Sequence, residues 1–181
     1  MNIATAEQIK SPTPGIQEAI DSLNGEGGRV RIPAGRWRLT RSIWVPPGMS
    51  LVGDGPSTVL HISSLKVARL EKDIRKGGRV LPLKGKVPFK VGQEIGVSDE
   101  TRGGWHGTHG IVEKIDGNRV TVSAKFNRGL SVSDDAKAVS LFPAITADGE
   151  ADIELSDFTI RGPRGYRGKW WRRGGSNLNT L

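Results

Sequence analysis

Residues 27–63 read GGRVRIPAGRWRLTRSIWVPPGMSLVGDGPSTVLHIS, and the fold prediction starts from this stretch. Apolar residues alternate with polar ones along it. Val30 and Ile32 alternate with arginines, and so do Trp37 and Leu39. A period of two predicts β-strands with one buried face and one solvated face.

Tight turns separate these strands. Residues 33–35 (PAG), 46–48 (PPG) and 53–56 (GDGP) each combine a proline with a glycine, so the chain must turn there. We interpret GDGP as a turn and not as a phosphate loop, because it lacks a lysine and no helix follows it. The strands between the turns are short, and Val30 and Leu51 are about twenty residues apart, as expected for a coil that stacks on itself.

The same stretch resembles the opening of pectin-lyase-like right-handed parallel β-helices. The positions that match the typical pattern of that family are Gly27, Gly28, Val30, Pro33, Gly35, Trp37, Gly53, Gly55, Thr58 and Val59. The resemblance implies an all-β fold and a polysaccharide ligand. The family includes lyases, hydrolases, epimerases and phage tail spikes, so the fold does not choose an activity.

Composition limits the alternatives. The 181 residues include 25 glycines and 10 prolines, which favours turns over long helices, and there is no cysteine for a disulfide or a thiolate metal site. No apolar run has the length of a membrane span, and the first ten residues lack the apolar core of a signal peptide. The resemblance suggests an extracellular or cell-surface protein, but the sequence leaves the location unknown.

The net charge of +8 is concentrated at the C-terminal end. Six basic residues and no acidic residue follow position 160, and subtracting these six leaves +2 for residues 1–160. We predict that residues 163–181 form a disordered basic tail. Its tryptophans could stack nucleic-acid bases, but the nearly neutral body argues against a nucleic-acid partner. The tail could equally be a solvated terminus or an extension from a broken reading frame.

Residues 11–23 are predicted to form a helix that caps the first turn of the coil. Ser11 or Thr13 would cap it, Pro14 would occupy its first turn, and residues 24–25 (NG) would end it. Its apolar stripe would cover the open end of the coil.

The chain is predicted to have four parts: residues 1–63 for the helix and first rungs, 64–143 for an inserted module, 144–162 for a returning rung, and 163–181 for the tail. The module is expected to consist of antiparallel hairpins, with the strongest turn signal at residues 115–120 (IDGNRV). We therefore predict a right-handed parallel β-helix of roughly three rungs, a length that leaves few stacking interfaces.

Relatives of this kind continue for many further rungs. The given chain is therefore expected to be a partial one, or to accept another copy at the C-terminal end of the coil, which makes a homo-oligomer a candidate assembly. We expect that end to be apolar and exposed, or covered by Tyr166, Trp170 and Trp171.

The loop at residues 99–109 (DETRGGWHGTH) is the first candidate site, and some pectin-lyase-like proteins carry a similar GWHxTH run. A sugar could stack on its indole, with hydrogen bonds from the surrounding polar groups. Alternatively, the aromatic and imidazole rings pack the module onto the coil. As a metal site the His-x-x-His spacing is weak, because the glycines argue against a helix, and we predict no metal. The substrate-binding candidates are Asp99, Arg102, Trp105, His106 and His109.

Carboxylates near the coil are the second candidate. A glycosidase needs two facing carboxyl groups, and a lyase needs a base and often Ca²⁺ to neutralise a uronate. The alternative is that they are solvated outer-face residues. In the resembled families the catalytic residues lie on later rungs, so none is carried over, and we predict no other cofactor. The available side chains are those of Asp54, Asp148, Glu150, Asp152, Glu154 and Asp157.

The sequence thus predicts a polysaccharide-binding or polysaccharide-processing β-helix protein, with catalysis by a lyase or a hydrolase left open. The alternative is a structural or adhesion module such as a segment of a trimeric spike. Polysaccharide is the expected partner in the first case, and no membrane partner is expected in either.

Overall fold

The computed structural model describes residues 2–101, 107–147 and 152–162. This part of the chain is mostly β-strand and contains one short α-helix, α1, at Ile16–Asp21, and a 3-10 helical turn at Val132–Asp134. The strands in chain order are β1 Ile3–Thr5, β2 Gly28–Ile32, β3 Gly35–Leu39, β4 Ile43–Trp44, β5 Met49–Gly53, β6 Thr58–Ile62, β7 Val67–Arg69, β8 Val80–Pro82, β9 Glu94–Ser98, β10 Thr108–Asp116, β11 Arg119–Val122, β12 Lys137–Val139, β13 Ile145–Thr146, β14 Glu154–Ser156 and β15 Thr159–Arg161.

The described residues fall into two compact units. The first unit takes the chain up to Ser63 and resumes at Pro143, and the second takes Ser64–Phe142. Pro143 therefore lies in the first unit, one residue before the predicted return at 144. The tail at 163–181 lies outside the described residues.

In the first unit every strand pair is parallel. One sheet has the order β1-β2-β5-β14, a second has the order β15-β6-β3, and β4 pairs with β13. The pairing is in register over whole strands, with Val30 beside Leu51 and Leu51 beside Leu155. Parallel strands require long connections. Here the connection from β1 to β2 contains α1, and the later connections carry the chain through other sheets before it returns.

The apolar residues of the first unit form columns across its strands. Val30 and Leu51 are fully buried, and so are the register partners Trp37 and Leu60. The Trp37 indole N–H donates to the carbonyl oxygen of Pro33 at 2.9 Å, which satisfies the polar atom of this core side chain. The predicted alternation thus corresponds to an apolar interior.

The helix is shorter than the sequence predicted. α1 has six residues, and Gly15 precedes it with a left-handed φ of 87°. Ser11 does accept a backbone hydrogen bond, but the donor is Gly15 N–H at 3.1 Å, before the helix begins. The expected start at residue 11 is therefore wrong, because the chain makes a left-handed turn at Gly15 before the helical repeat is established.

Gln17 of α1 forms hydrogen bonds with the backbone of β4 at the edge of that strand. Its side chain is buried, its amide N–H donates to the Trp44 carbonyl at 3.2 Å, and its amide oxygen accepts from the Trp44 N–H at 2.8 Å. A side-chain amide thus pairs with the backbone of β4 as a peptide group would. The helix thereby provides partners for backbone groups at the edge of β4.

The second unit is an antiparallel sheet with the order β7-β12-β9-β10-β11-β8. The hairpin predicted at 115–120 is present, with Asp116 opposite Arg119 and Gly117 at a positive φ of 58°. Its apolar cluster includes Leu81, Val112 and Phe126, each at most 1% exposed. This unit therefore has a core of its own.

Candidate functional site

An open groove in the second unit has a volume of about 1210 Å³. Its walls come from three segments: residues 71–76 after β7, the end of β9 with the residues that follow it, and residues 128–134. The lining side chains are mostly polar or charged, which suits a hydrated ligand rich in hydrogen-bonding groups. They are Glu71, Lys72, Asp73, Ile74, Arg75, Lys76, Asp99, Thr101, Arg128, Gly129, Leu130, Ser131, Val132 and Asp134.

Backbone and side-chain hydrogen bonds tie two of these walls together. Ile74 and Leu130 exchange N–H···O bonds of 3.0 Å in both directions. The Asp73 carboxylate accepts from Val132 N–H at 2.7 Å and from the Ser131 hydroxyl at 3.2 Å. The two loops are therefore held by a local bridge, although they are far apart in sequence.

A buried ion pair holds the third wall. The Asp99 carboxylate is 2% exposed and accepts hydrogen bonds from the Arg128 guanidinium and from the hydroxyl and backbone N–H of Thr101. Arg128 also donates to the Thr101 hydroxyl at 2.5 Å. Removing one partner of such a pair leaves a buried charge uncompensated, which typically costs about 3–5 kcal/mol.

Arg128 keeps unused donor capacity. Its Nε is buried and has no hydrogen-bond partner among the residues that the structure describes, while its side chain is 26% exposed and lines the groove. A guanidinium has five N–H donors in a fixed fork. The pair therefore neutralises Asp99, and the exposed part of the guanidinium borders the groove.

The charges of the described residues that line the groove balance. The acidic members are Glu71, Asp73, Asp99 and Asp134, and the basic members are Lys72, Arg75, Lys76 and Arg128. A groove without net charge does not attract a polyanion electrostatically, but its side chains offer both hydrogen-bond acceptors and hydrogen-bond donors. This combination matches hydroxyl groups, which donate and accept.

A second charge cluster follows directly after the groove residue Asp134. Lys137, which is 8% exposed, donates to Asp135 at 2.7 Å, and Arg69 donates to the other oxygen of the same carboxylate at 2.7 Å. The hydrogen bond from Lys137, aided by Arg69 and opposed by burial, holds the pKa of Asp135 below its ordinary value. This carboxylate therefore stays ionised and fixes the chain at the end of the groove segment.

The structure separates two of the predicted site residues. Asp99 is buried in its ion pair, whereas the His109 side chain is 47% exposed and its Nδ1 lies 3.8 Å from the Glu94 carboxylate. His109 is the register partner of Gly96, on the face opposite the buried Ile95. Arg102, Trp105 and His106 lie outside the described residues, so the binding role of this loop stays a prediction.

The candidate carboxylates of the first unit that are described already have structural partners or turn positions. Asp54 accepts two hydrogen bonds from Arg31, both at 2.7 Å, and these hold its pKa below its ordinary value. Glu154 accepts from the Ser50 hydroxyl at 3.1 Å. Asp152 and Asp157 occupy left-handed turn positions with φ of 59°. The remaining candidates, Asp148 and Glu150, lie outside the described residues.

Sequence reasoning did not find most of the groove. Asp99 was a candidate, but its partner Arg128 is 29 residues away and stands in an unremarkable NRG stretch. Asp73 and Ser131 are likewise joined over 58 residues. The one available signal was the concentration of charge in residues 71–76, which interrupts the strand pattern.

The described residues contain neither a candidate metal cluster nor a candidate membrane-spanning helix. No cluster of three or more histidine, aspartate or glutamate side chains there is arranged to hold a metal ion. Within the same ranges no helix has the length and apolarity that crossing a membrane requires.

Comparison with known proteins gave structural neighbours but no family. No protein-family model matches the sequence, and no curated protein matches it either. The solved structures to which the chain is similar include the gp61 tailspike of Pseudomonas phage phi297, with 18% identity and a TM-score of 0.43. Another is the gp54 tailspike of Acinetobacter baumannii bacteriophage AP22 in complex with capsular saccharide, with 12% identity and a TM-score of 0.40.

A third neighbour is the gp49 tailspike of Pseudomonas phage LKA1, with 16% identity and a TM-score of 0.36. The three matches cover 81%, 84% and 82% of this chain, in the order given. The chain spans only 28%, 32% and 27% of the lengths of those tailspikes.

Proposed function

We propose that this chain is a polysaccharide-binding segment built on a right-handed parallel β-helix, with the ligand held in the groove of the second unit. The observation that carries the proposal is that groove. It is open and polar, its charges balance, and the buried Asp99–Arg128 pair fixes one wall.

The chemistry of the groove supports a saccharide more than a phosphate or an apolar ligand. A saccharide presents many hydroxyl groups, each of which can donate to a carboxylate and accept from a lysine or arginine. Walls that are already hydrogen-bonded to one another lose little conformational entropy when a ligand binds. The parallel, in-register pairing of the first unit supports the β-helix of roughly three rungs, as does the resemblance of residues 27–63.

Binding, rather than catalysis, is the proposed activity. The candidate carboxylates of the first unit that are described are engaged by Arg31 or Ser50 or occupy turns. In the groove, Asp73 and Asp99 accept hydrogen bonds that hold the walls together. A lyase would raise ultraviolet absorbance on uronate polymers and a hydrolase would release reducing ends, so either signal would overturn a purely binding role.

Binding can be tested with the intact chain on an array of linear neutral and acidic polysaccharides. Lys72→Ala combined with Arg75→Ala removes two exposed groove cations and should weaken binding to the selected glycan by about tenfold or more. Lys84→Ala combined with Lys114→Ala makes the same change of charge away from the groove and should leave the affinity within about twofold. Equal effects of the two double variants, or no glycan binding by the unsubstituted chain, would contradict the proposal.

A structural role, such as a segment of a trimeric spike, is the second candidate. The observation that favours it is the exposure of Leu155 and Ile160, which continue the buried columns of the first unit. A stable trimer by light scattering that neither binds nor cleaves a glycan would favour this candidate over the first.

A further inference from the structure

Three strands of the first unit bring basic side chains into one line. Arg38 of β3 is the register partner of His61 in β6, and His61 is the register partner of Arg161 in β15. Neighbouring strands lie about 4.8 Å apart, so the three side chains repeat at that interval across the sheet. We call these three residues the basic ladder.

The ladder faces away from the core. The residues that precede its members, Trp37 and Leu60, are buried, and side chains alternate between the two faces of a strand. Arg38 and Arg161 are exposed, and His61 is partly exposed. The line of basic groups therefore lies on the solvated face of this sheet.

The arginines of the ladder are not neutralised within the described part of the chain. Arg38 donates from Nε to the Ser63 hydroxyl at 2.5 Å, a neutral partner that orients the guanidinium and leaves its terminal nitrogens available. Neither Arg38 nor Arg161 has a carboxylate within ion-pair distance among the residues described.

The other sheet of the same unit provides the contrast. Arg31 of β2 also faces outward, but both of its hydrogen bonds at 2.7 Å go to Asp54, which neutralises it. The two Arg-x-Arg strands thus differ at their second arginine, because Arg31 is neutralised by Asp54 whereas Arg38 is hydrogen-bonded to a neutral hydroxyl. Like charges placed side by side across a sheet are destabilising, so an unbalanced line is a candidate anion site.

We propose that the basic ladder binds an acidic polysaccharide, with carboxylates spaced along the glycan lying against Arg38 and Arg161 and His61 contributing a hydrogen bond between them. A guanidinium matches a carboxylate in a bidentate geometry. A line of cations requires anions repeated along an extended polymer, which one small anion does not supply. Single-stranded nucleic acid is disfavoured, because Trp37, the aromatic residue of these strands, is buried and offers no stacking face.

This inference rests on the proposed function for its ligand class, polysaccharide, but it uses a different surface from the groove. The two proposals can therefore fail separately. Loss of binding in the groove variants alone would leave the ladder without a role, and loss in the ladder variants alone would do the same to the groove.

The experiment measures affinity of the intact chain for alginate, a linear polyuronate, with dextran as the uncharged polymer and oligo-dT as a nucleic acid. We expect binding to alginate that weakens as salt is raised, because salt screens exposed charges, and no comparable binding to dextran or oligo-dT. Arg38→Gln with Arg161→Gln should weaken alginate binding by about tenfold or more, since charge-assisted hydrogen bonds are lost. Arg38→Lys with Arg161→Lys should retain part of it.

The matched control is Arg29→Gln with Arg31→Gln, which removes two positive charges from the other sheet of the same unit. We expect this control to stay within about twofold of the unsubstituted chain, because its guanidinium groups are off the ladder. The proposal is overturned if alginate does not bind, if both double glutamine variants lose affinity equally, or if dextran or oligo-dT binds as tightly as alginate. Circular dichroism of each variant checks that the fold is kept.

Discussion

The two units of this protein build their cores in different ways. In the first unit, apolar residues form columns across parallel strands, and each residue is buried by the strands on either side of it. Leu51 lies between Val30 and Leu155 and is fully buried, but Leu155, at the end of the same column, is 47% exposed. In the second unit the cluster around Phe126 and Val112 is closed by its own antiparallel sheet.

The difference shows that an apolar side chain in a stack of parallel strands is buried by the strands on both sides of its own strand. Ile160 repeats the pattern at the end of the other sheet, where it is 38% exposed while its register partner Leu60 is fully buried. The sequence pattern of β14 and β15 is that of the inner strands, but each of the two has a neighbouring strand on one side only among the described residues. In the antiparallel sheet of the second unit, by contrast, apolar residues are buried where they face the cluster around Phe126 and Val112.

The largest expected effect tests this contrast within one column. Leu51→Ala removes a fully buried side chain and should lower the free energy of unfolding by about 2–5 kcal/mol. Leu155→Ala makes the same chemical change at the exposed end and should cost less than half as much. Urea unfolding followed by circular dichroism measures both.

If Leu51→Ala and Leu155→Ala lowered the free energy of unfolding equally, Leu155 would be buried in solution as deeply as Leu51. That result would contradict the exposure of Leu155 in the structure. Light scattering at the same concentration would show whether association with another copy buries it.

A close approach between strands gives a smaller effect. Gly53 is buried beneath the last rung, and a Cβ there would overlap the Asp157 carbonyl oxygen and lie 2.9 Å from the Phe158 Cβ. Gly53→Ala should therefore displace β14 and β15 and cost about 1–3 kcal/mol, a typical overpacking penalty. Hydrogen exchange should show faster exchange at the amides of Leu155 and Ile160.

Gly25→Ala is the matched control for this substitution. Gly25 lies in the same unit with a φ of 75°, and a Cβ there would meet nothing within 4 Å, so an alanine should strain only its own turn. Protection of Leu155 and Ile160 should then be unchanged. Loss of protection in both variants would show that a general loss of stability, rather than the contact of Gly53 with Asp157, exposes these amides.

The smallest effect concerns stability in acid, to which Asp54 of the first unit and Asp135 of the second contribute because each has a lowered pKa. Hydrogen bonds from Lys137 and Arg69 lower that of Asp135, and Arg31 lowers that of Asp54. A carboxylate whose folded pKa lies below its unfolded value of 3.8 stabilises the fold above that pH, and the contribution is lost as the pH falls through the folded pKa. Asp135→Asn should therefore flatten the fall in melting temperature below about pH 4.

Asp54→Asn should change the fall in melting temperature below about pH 4 less than Asp135→Asn does. The reason is that the ion pair of Asp54 with Arg31 is more exposed to solvent than the pair of Asp135 with Lys137. If Asp135→Asn left the fall in melting temperature in acid unchanged, the Asp135 carboxylate would have no lowered pKa in solution. An NMR titration of both carboxyl groups provides the direct check.

Much of the first unit could be predicted from local signals. The alternation around Val30 and Trp37 indicated the buried faces, and Gly48 and Gly55 take the left-handed conformations that their turns require. The hairpin at Gly117 was predictable for the same reason. Such features are set by residues that are close in sequence.

Other features depended on partners that no local pattern reveals. β1 has three residues and pairs only because Gly28–Ile32 offers a parallel edge, and α1 begins late because Gly15 turns the chain. The groove exists because Arg128 reaches Asp99 across 29 residues. Sequence periodicity contains no information about such long-range hydrogen bonds, so the candidate site emerged only with the structure.

The central claim is that residues 2–63 and 152–162 form one parallel stack, and cysteine cross-linking tests it most directly because the chain has no cysteine. Ser50 and Glu154 are register partners, at a strand separation of about 4.8 Å that a disulfide can span. Ser50→Cys with Glu154→Cys should form a disulfide under mild oxidation. Ser50→Cys with Ser156→Cys, displaced by about 6.6 Å along the strand, should not. Failure of the first pair, or equal cross-linking of both pairs, would contradict the stack.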